Sequence, residues 1–256
     1  MDLGLADRRF LVGGASRGLG AAVARTLLAE GARVAGASRD AGSGEPGPGA
    51  AIGIAPVRVD LGMPDGPAHA VAAAVEALGG LDGLVVNTGG PPGGGFEAVD
   101  DETWQRAIDG TLFSALRLIR AALPHLRDGR NPAIVIVLSS SIREPIPSLI
   151  TSNVLRPGLA GLIKSLTSEI APVRINGVAP GRFDTERVRS IDAARAKDTG
   201  RSLAEIQAET RARIPLGRLG DPDEMGRVIT FLLSPAASYV NGVTLPVDGG
   251  MIRSLP

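Results

Sequence analysis

The sequence predicts an α/β fold: a single domain built on one doubly wound parallel sheet of about seven strands. Three observations carry that expectation. Short, almost wholly apolar runs rich in β-formers recur along the 256 residues, as strands buried on both faces require. Helical patterns separate most of these runs, which argues for right-handed βαβ units. The first run also opens directly into a glycine-rich turn followed by an amphipathic stretch.

The first strand is expected at Phe10–Val12. It leads into Gly13-Gly14-Ala15-Ser16-Arg17-Gly18-Leu19-Gly20, with a helix from Ala21 to Glu30. Strand, glycine turn, helix is the order that brings a diphosphate onto the unpaired N–H groups of a helix N-terminus. The second strand falls at Val34–Ala37. Asp40–Gly53 is too rich in Gly and Pro for a helix, so the crossover to the third strand, Pro56–Val59, is expected to be an irregular loop. A helix over Pro64–Leu78 leads to a strand at Gly83–Asn87. Asp101–Leu126 leads in the same way to Ala133–Leu138, and Leu149–Ile170 to Arg174–Ala179. Thr185–Leu216 is polar yet helical in pattern, and it leaves the carboxyl end of the sixth strand. A substrate lid over residues 184–216 would sit there; the alternative is a surface helical hairpin. Pro222–Leu233 and a strand at Thr244–Val247 close the domain.

Lys plus Arg equals 27 and Asp plus Glu equals 27, so the formal charge is zero. That balance argues against nucleic acid or an anionic membrane as a partner. The absence of cysteine excludes disulfides, thiolate metal sites and a cysteine nucleophile. Two histidines, His69 and His125, are too few for a histidine-rich metal site, so no metal is expected. No apolar run is long enough to span a bilayer and no signal-peptide pattern opens the chain, so a cytoplasmic location is expected. Aromatics are only 3%, which leaves Ala, Val, Leu and Ile to fill the core.

Several motifs occur in order at family-like intervals. Gly14, Gly18 and Gly20 fit a G-x-x-x-G-x-G turn. Asn87-Thr88-Gly89-Gly90 follows the fourth strand, Pro180-Gly181 the sixth, and Val247-Asp248-Gly249-Gly250 the last. With these, nearly the whole chain resembles the short-chain dehydrogenase/reductase family, and most of all its divergent 3-oxoacyl-(acyl-carrier-protein) reductase-like branch. The resemblance implies a Rossmann-type sheet and a nicotinamide dinucleotide. It places that cofactor against Gly14, Ser16, Arg17, Gly18, Leu19 and Gly20 in the turn, and against Arg39 after the second strand. Asp60 and Leu61 follow the third strand, Asn87 and Gly89 the fourth, and Pro180, Gly181 and Thr185 the sixth. Asp60 would face the adenine, and Thr185 the nicotinamide carboxamide. The resemblance also implies a small-molecule or acyl-carrier substrate, and a homotetramer paired through the helices at Asp101–Leu126 and Leu149–Ile170.

The family's catalytic group is Asn, Ser, Tyr, Lys, with the serine 13 residues before the tyrosine and the lysine 4 after it. The run Gly158-Leu159-Ala160-Gly161-Leu162-Ile163-Lys164 resembles the family's segment after the lysine. It puts Arg156 at the lysine position and Ser152 at the tyrosine position. Counting back gives Ser139 for the serine, with Ser140 and Ser141 leaving the register open, and Thr111 takes the asparagine position. The only tyrosine, Tyr239, is far from this site and reads as packing. An aliphatic hydroxyl is a far weaker acid than a phenol, and an arginine stays protonated and cannot relay a proton as a lysine does. Arg156 can still donate to ribose hydroxyls. The site is therefore expected to be an atypical NAD(P)-dependent oxidoreductase for a carbonyl or alcohol. The alternatives are a dinucleotide-binding protein with little catalysis, acting as sensor or assembly partner, and a non-redox lyase or hydrolase.

NADP(H) is favoured over NAD(H). The second strand ends in Ala37-Ser38-Arg39 where an acidic residue would select the 2′-hydroxyl. Arg39 and Arg17 can both reach a 2′-phosphate, while Asp40 next door could accept from a ribose instead.

Overall fold

The structure, a computed structural model, describes residues 2–41 and 53–254. Seven parallel strands form one sheet in the order β3-β2-β1-β4-β5-β6-β7. They are β1 (Arg9–Gly13), β2 (Arg33–Ser38), β3 (Ala55–Arg58), β4 (Gly83–Val86), β5 (Ala133–Val137), β6 (Arg174–Pro180) and β7 (Thr244–Val247). The chain starts at the centre, winds outward to β3, then returns across β1 to wind the other way. That reversal between β1 and β4 opens a crevice at the carboxyl ends of the strands, where α/β sheets bind ligands.

Side-chain alternation explains why the sheet is covered on both faces. Leu11, Ile134 and Ile136 join one core, with α2 (Gly66–Leu78), α4 (Ser114–Arg127) and α5 (Ile150–Glu169). Phe10, Val12, Val135 and Val137 join the other, with α1 (Gly18–Ala29) and α8 (Pro222–Leu233). Successive strand residues point to opposite faces, so the central strands β4 and β5 are apolar and buried throughout, while the edge strands β3 and β7 are partly exposed.

Several expectations change. The helix expected over Asp101–Leu126 is not one α-helix. It comprises α3 (Asp101–Ala107), a π-helical turn at Ile108–Phe113 and α4. Gly110 sits in the widened turn, and the Ser114 hydroxyl donates to the Gly110 carbonyl at 2.7 Å. Such side-chain bonding back to a preceding carbonyl competes with the regular ladder. Pro157 lies within α5, which nevertheless continues unbroken from Ile150 to Glu169. Tyr239 is fully exposed and not packed. The loop expected at Asp40–Gly53 lies largely outside the described residues, with only Asp40, Ala41 and Gly53 inside them. The polar excursion forms a hairpin of α6 (Glu186–Thr199) and α7 (Leu203–Ala212). Among the described residues, no helix is long and apolar enough to cross a membrane.

Candidate active site

The crevice is walled on one side by the turn after β1. Gly14 and Gly18 take φ of 61° and 58°, in the left-handed region that glycine adopts without strain. A Cβ on Gly20 would stand 2.2 Å from the Gly14 carbonyl oxygen, so the turn closes only with glycine there. The α1 N-terminus has no side-chain cap at Arg17 and no acidic residue in its first turn. Its orphan N–H groups therefore remain available to an anion. Asn87, just after β4, donates its side-chain N–H to the Gly13 carbonyl at 3.2 Å and ties the two central strands together. Gly89 is exposed, with φ of 84° and open space where a Cβ would be. These residues fit a dinucleotide lying across the β1–β4 reversal.

The remaining cofactor candidates divide by environment. Ser16 and Leu19 are half-buried in the turn. Leu61 is buried in the core against Gly13, and the exposed Asp60 accepts the Gly62 N–H at 2.9 Å. Arg39 is exposed at the end of β2, whereas Arg17 faces Glu186 at 3.4 Å across the crevice. Pro180 ends β6, and Gly181 donates to the Val247 carbonyl at 2.9 Å. Thr185 is the N-cap of α6, its hydroxyl accepting from the Val188 N–H at 3.3 Å, and it lies beside Gly18. Asp184, next to this cap, pairs with Arg189 at 2.6 Å.

The candidate catalytic residues differ in burial and in hydrogen-bond partners. Ser139 lies two residues beyond β5, half-exposed, and its hydroxyl oxygen accepts the Ser141 N–H at 3.1 Å. Ser152 is buried near the start of α5, and the hydroxyl it meets is that of Ser141, at 3.1 Å, not that of Ser139. A serine side chain is too short to reach out from α5 as a phenol would, so its hydroxyl stays against the segment that passes beside the helix. Thr111 is buried in the π-helical turn.

Arg156 is buried and has no carboxylate partner among the described residues. It donates to the carbonyls of Val137 (2.5 Å), Leu138 (2.7 Å) and Gly89 (3.0 Å). Burial, with a smaller contribution from the nearby Arg187 charge, pushes its pKa down to about 10, so it remains a cation at neutral pH. Its neighbours along the segment after β4 complete a pattern invisible in the motifs. Arg187 donates to the carbonyls of Gly90 (3.4 Å) and Pro91 (3.2 Å). The Thr151 hydroxyl donates to that of Pro92 at 2.6 Å. Four successive carbonyls, residues 89 to 92, are thus held by side chains from α5 and α6. Thr151 and Arg187 were not singled out by sequence, and Ser141 only as an alternative register for Ser139. The available signal was the Gly-Gly-Pro-Pro run, whose prolines have no N–H and whose carbonyls need donors from elsewhere.

The family model described as enoyl-(acyl carrier protein) reductase matches residues 14–252. L-Rhamnose 1-dehydrogenase (NAD(P)(+)) of Azotobacter vinelandii is 33% identical over 98% of this chain and 99% of that protein. A 3-oxoacyl-(acyl-carrier-protein) reductase of Vibrio cholerae is 32% identical over 94% and 96% respectively. Among solved structures, the L-sorbose reductase of Gluconobacter frateurii, complexed with NADPH and L-sorbose, superposes with a TM-score of 0.90. It is 28% identical, and the match covers all of both chains.

Proposed function

The chain belongs to the short-chain dehydrogenase/reductase family, whose named relatives here are dehydrogenases and reductases, and from that premise we propose that it interconverts a carbonyl and an alcohol on a small substrate with NADP(H), at a site lacking the family's phenol and ammonium. The observation that carries the reading is the uncapped α1 N-terminus under the Gly14–Gly20 turn, open at the carboxyl ends of β1 and β4. A bound nicotinamide supplies or accepts the hydride. The chain's own residues position and polarise. Ser139, half-exposed and oriented by the Ser141 N–H, donates to the substrate oxygen. The buried Ser141–Ser152 hydroxyl pair supports it from below. Thr111 lines the α3–α4 turn behind them. Arg156 holds the segment bearing Gly89 and supplies fixed positive charge, so it acts as a positioning residue. With no phenol to give up a proton, water completes the alcohol, and the rate is modest. The α6–α7 hairpin serves as the lid over residues 184–216. The exposed apolar residues Phe113 and Val154, and separately Tyr239, Val243 and Leu245, support pairing into a tetramer, which light scattering tests.

The test is a spectrophotometric screen of ketoses, aldoses, small ketones and acyl thioesters with both cofactors. Turnover faster with NADPH than with NADH is expected. Ser139→Ala should lower kcat by about tenfold to a hundredfold, as for a lost donor to the reacting oxygen. Tight cofactor binding with no turnover on any class would refute the enzymatic reading in favour of a dinucleotide-binding protein. If Ser141→Ala abolishes turnover while Ser139→Ala leaves it intact, the serine assignment moves by two residues.

A further inference from the structure

The α6 side of the crevice carries a cation that the proposed reaction does not use. Of the five arginines between residues 182 and 201, four are ion-paired: Arg182 with Asp192, Arg189 with Asp184, and Arg195 and Arg201 with Glu209. Arg187 is the exception. The carboxylates on either side of it are committed elsewhere, Asp184 to Arg189 at 2.6 Å and Glu186 to Arg17 at 3.4 Å. Its partners are two backbone carbonyls, at 3.2 and 3.4 Å, both long for a charged donor.

The second unneutralised guanidinium is beside it. Arg156 binds the preceding carbonyl of the same segment, and the two charges repel each other. No carboxylate pairs with either among the described residues. Two cations sharing residues 89 to 91, next to the N-terminus of a fourteen-residue helix, form a focus of positive potential at the substrate end of the crevice. Arg156 is buried and its bonds are short. Arg187 is exposed and its bonds are weak, so it is the one free to exchange them for a better acceptor.

We propose that Arg187 binds a carboxylate on the substrate, so that the protein's substrates are small oxo or hydroxy acids, not neutral sugars. This rests on the reading of the crevice as an oxidoreductase site. Arg187 lies over Gly90 and Pro91, while Ser139 lies two residues beyond the neighbouring strand β5. An acid held by its carboxylate at Arg187 presents its carbonyl toward Ser139. A guanidinium fork accepts a carboxylate through two parallel bonds, which fixes orientation as well as position.

The test is calorimetric titration of the NADP⁺-loaded protein with a series of oxo acids from pyruvate to levulinate, each paired with its methyl ester. The wild type is compared with Arg187→Gln and Arg187→Lys. The acids should bind more tightly than their esters by about tenfold to a hundredfold, the worth of one charged bond pair. Arg187→Gln should remove that preference while leaving NADP⁺ affinity unchanged, and Arg187→Lys should restore part of it. An acid–ester preference that survives Arg187→Gln, or the absence of any acid binding at millimolar concentration, would overturn the proposal. So would a loss of NADP⁺ affinity in Arg187→Gln without an effect on the acids, since the anion would then be the cofactor's diphosphate. Binding needs no turnover. Acids that bind through Arg187 but are not reduced with NADPH, while another substrate class is turned over, would overturn the substrate assignment and leave the oxidoreductase reading intact.

Discussion

Replacing Arg156 separates a brace from a cofactor contact. In the structure its guanidinium joins the end of β5, at Val137 and Leu138, to Gly89 after β4 through three hydrogen bonds. Bonds to a charged partner contribute about 1.5–3 kcal/mol each, which makes roughly 5–9 kcal/mol gross for three. Against this stands the desolvation of a buried cation without a counter-charge, several kcal/mol in a protein interior. Arg156→Met keeps the apolar stem and removes both terms, leaving a net loss of about 2–4 kcal/mol. Arg156→Lys keeps the charge but has one nitrogen to serve three carbonyls in different directions, so about half the loss remains. For a domain of this length, 1 kcal/mol corresponds to roughly 2–4 °C in Tm. The methionine variant should therefore melt roughly 5–15 °C lower. The assay is urea and thermal unfolding by circular dichroism at one fixed protein concentration, because association would shift apparent stability. NADPH titrations run alongside. A lysine variant as stable as the wild type, and binding NADPH as tightly, would refute the brace and restore the ribose contact that the family resemblance implies.

Other outcomes follow from particular contacts. Asp82 is fully buried. Burial opposes its ionisation, but the Arg9 side chain and the backbone N–H groups of Arg130 and Arg9 outweigh that and hold its pKa down to about 2, from 3.8. A depressed folded-state pKa gives stability that is present above about pH 4 and lost as pH falls toward 2. Asp82→Asn should cost about 2–3 kcal/mol at pH 7, and the gap to the wild type should close by pH 2 in denaturant titrations; an equal gap at both pH values refutes the assignment. Arg39→Ala should lower the ratio of NADPH to NADH affinity by about tenfold, as for one charged bond to a phosphate; an unchanged ratio in paired fluorescence titrations means another residue reads the 2′-position. Gly20→Ala would drive a Cβ to 2.2 Å from the Gly14 backbone oxygen, and should cost about 1–3 kcal/mol and most of the cofactor affinity. Gly90→Ala meets only the mobile end of Arg187, at 2.3 Å, and should change thermal stability by less than about 0.5 kcal/mol.

The sheet was legible because its signal is local and repeated. The central strands are apolar on both faces, and the order of Gly14–Gly20, Asn87, Pro180-Gly181 and Asp248-Gly249-Gly250 leaves few topologies. The Ser139, Ser152 and Arg156 register was legible only as spacing along the chain. Counting residues says which positions correspond, but not how far a side chain reaches. A phenol and a serine hydroxyl on the same Cα end several ångströms apart, and the hydroxyl that Ser152 meets is that of Ser141. The π-helical turn at Ile108–Phe113 was hidden for a related reason. A single inserted residue in a helical pattern leaves the apolar periodicity on either side nearly unchanged.

Arg156 and the segment it braces belong together. The Arg156 guanidinium is long and forked enough to reach Gly89, Val137 and Leu138 at once, which an ammonium cannot do. The segment it reaches reads Gly-Gly-Pro-Pro. Pro91 and Pro92 offer no N–H to a helix or strand; Thr151 holds the Pro92 carbonyl at 2.6 Å, and Arg187 reaches that of Pro91 only loosely, at 3.2 Å. The contacts are complementary: the segment's carbonyls need donors, and the arginine needs acceptors that are not acids. It follows that returning single positions to the family pattern should fail. Ser152→Tyr would place a phenol beside a guanidinium already bound to three carbonyls, and Arg156→Lys would loosen the segment that carries Gly89. Only a chain in which Ser152, Arg156 and the residues from 88 to 92 are exchanged together should gain the activity that a tyrosine–lysine pair confers. Faster turnover from Ser152→Tyr alone, in a steady-state assay, would show that these positions act independently after all.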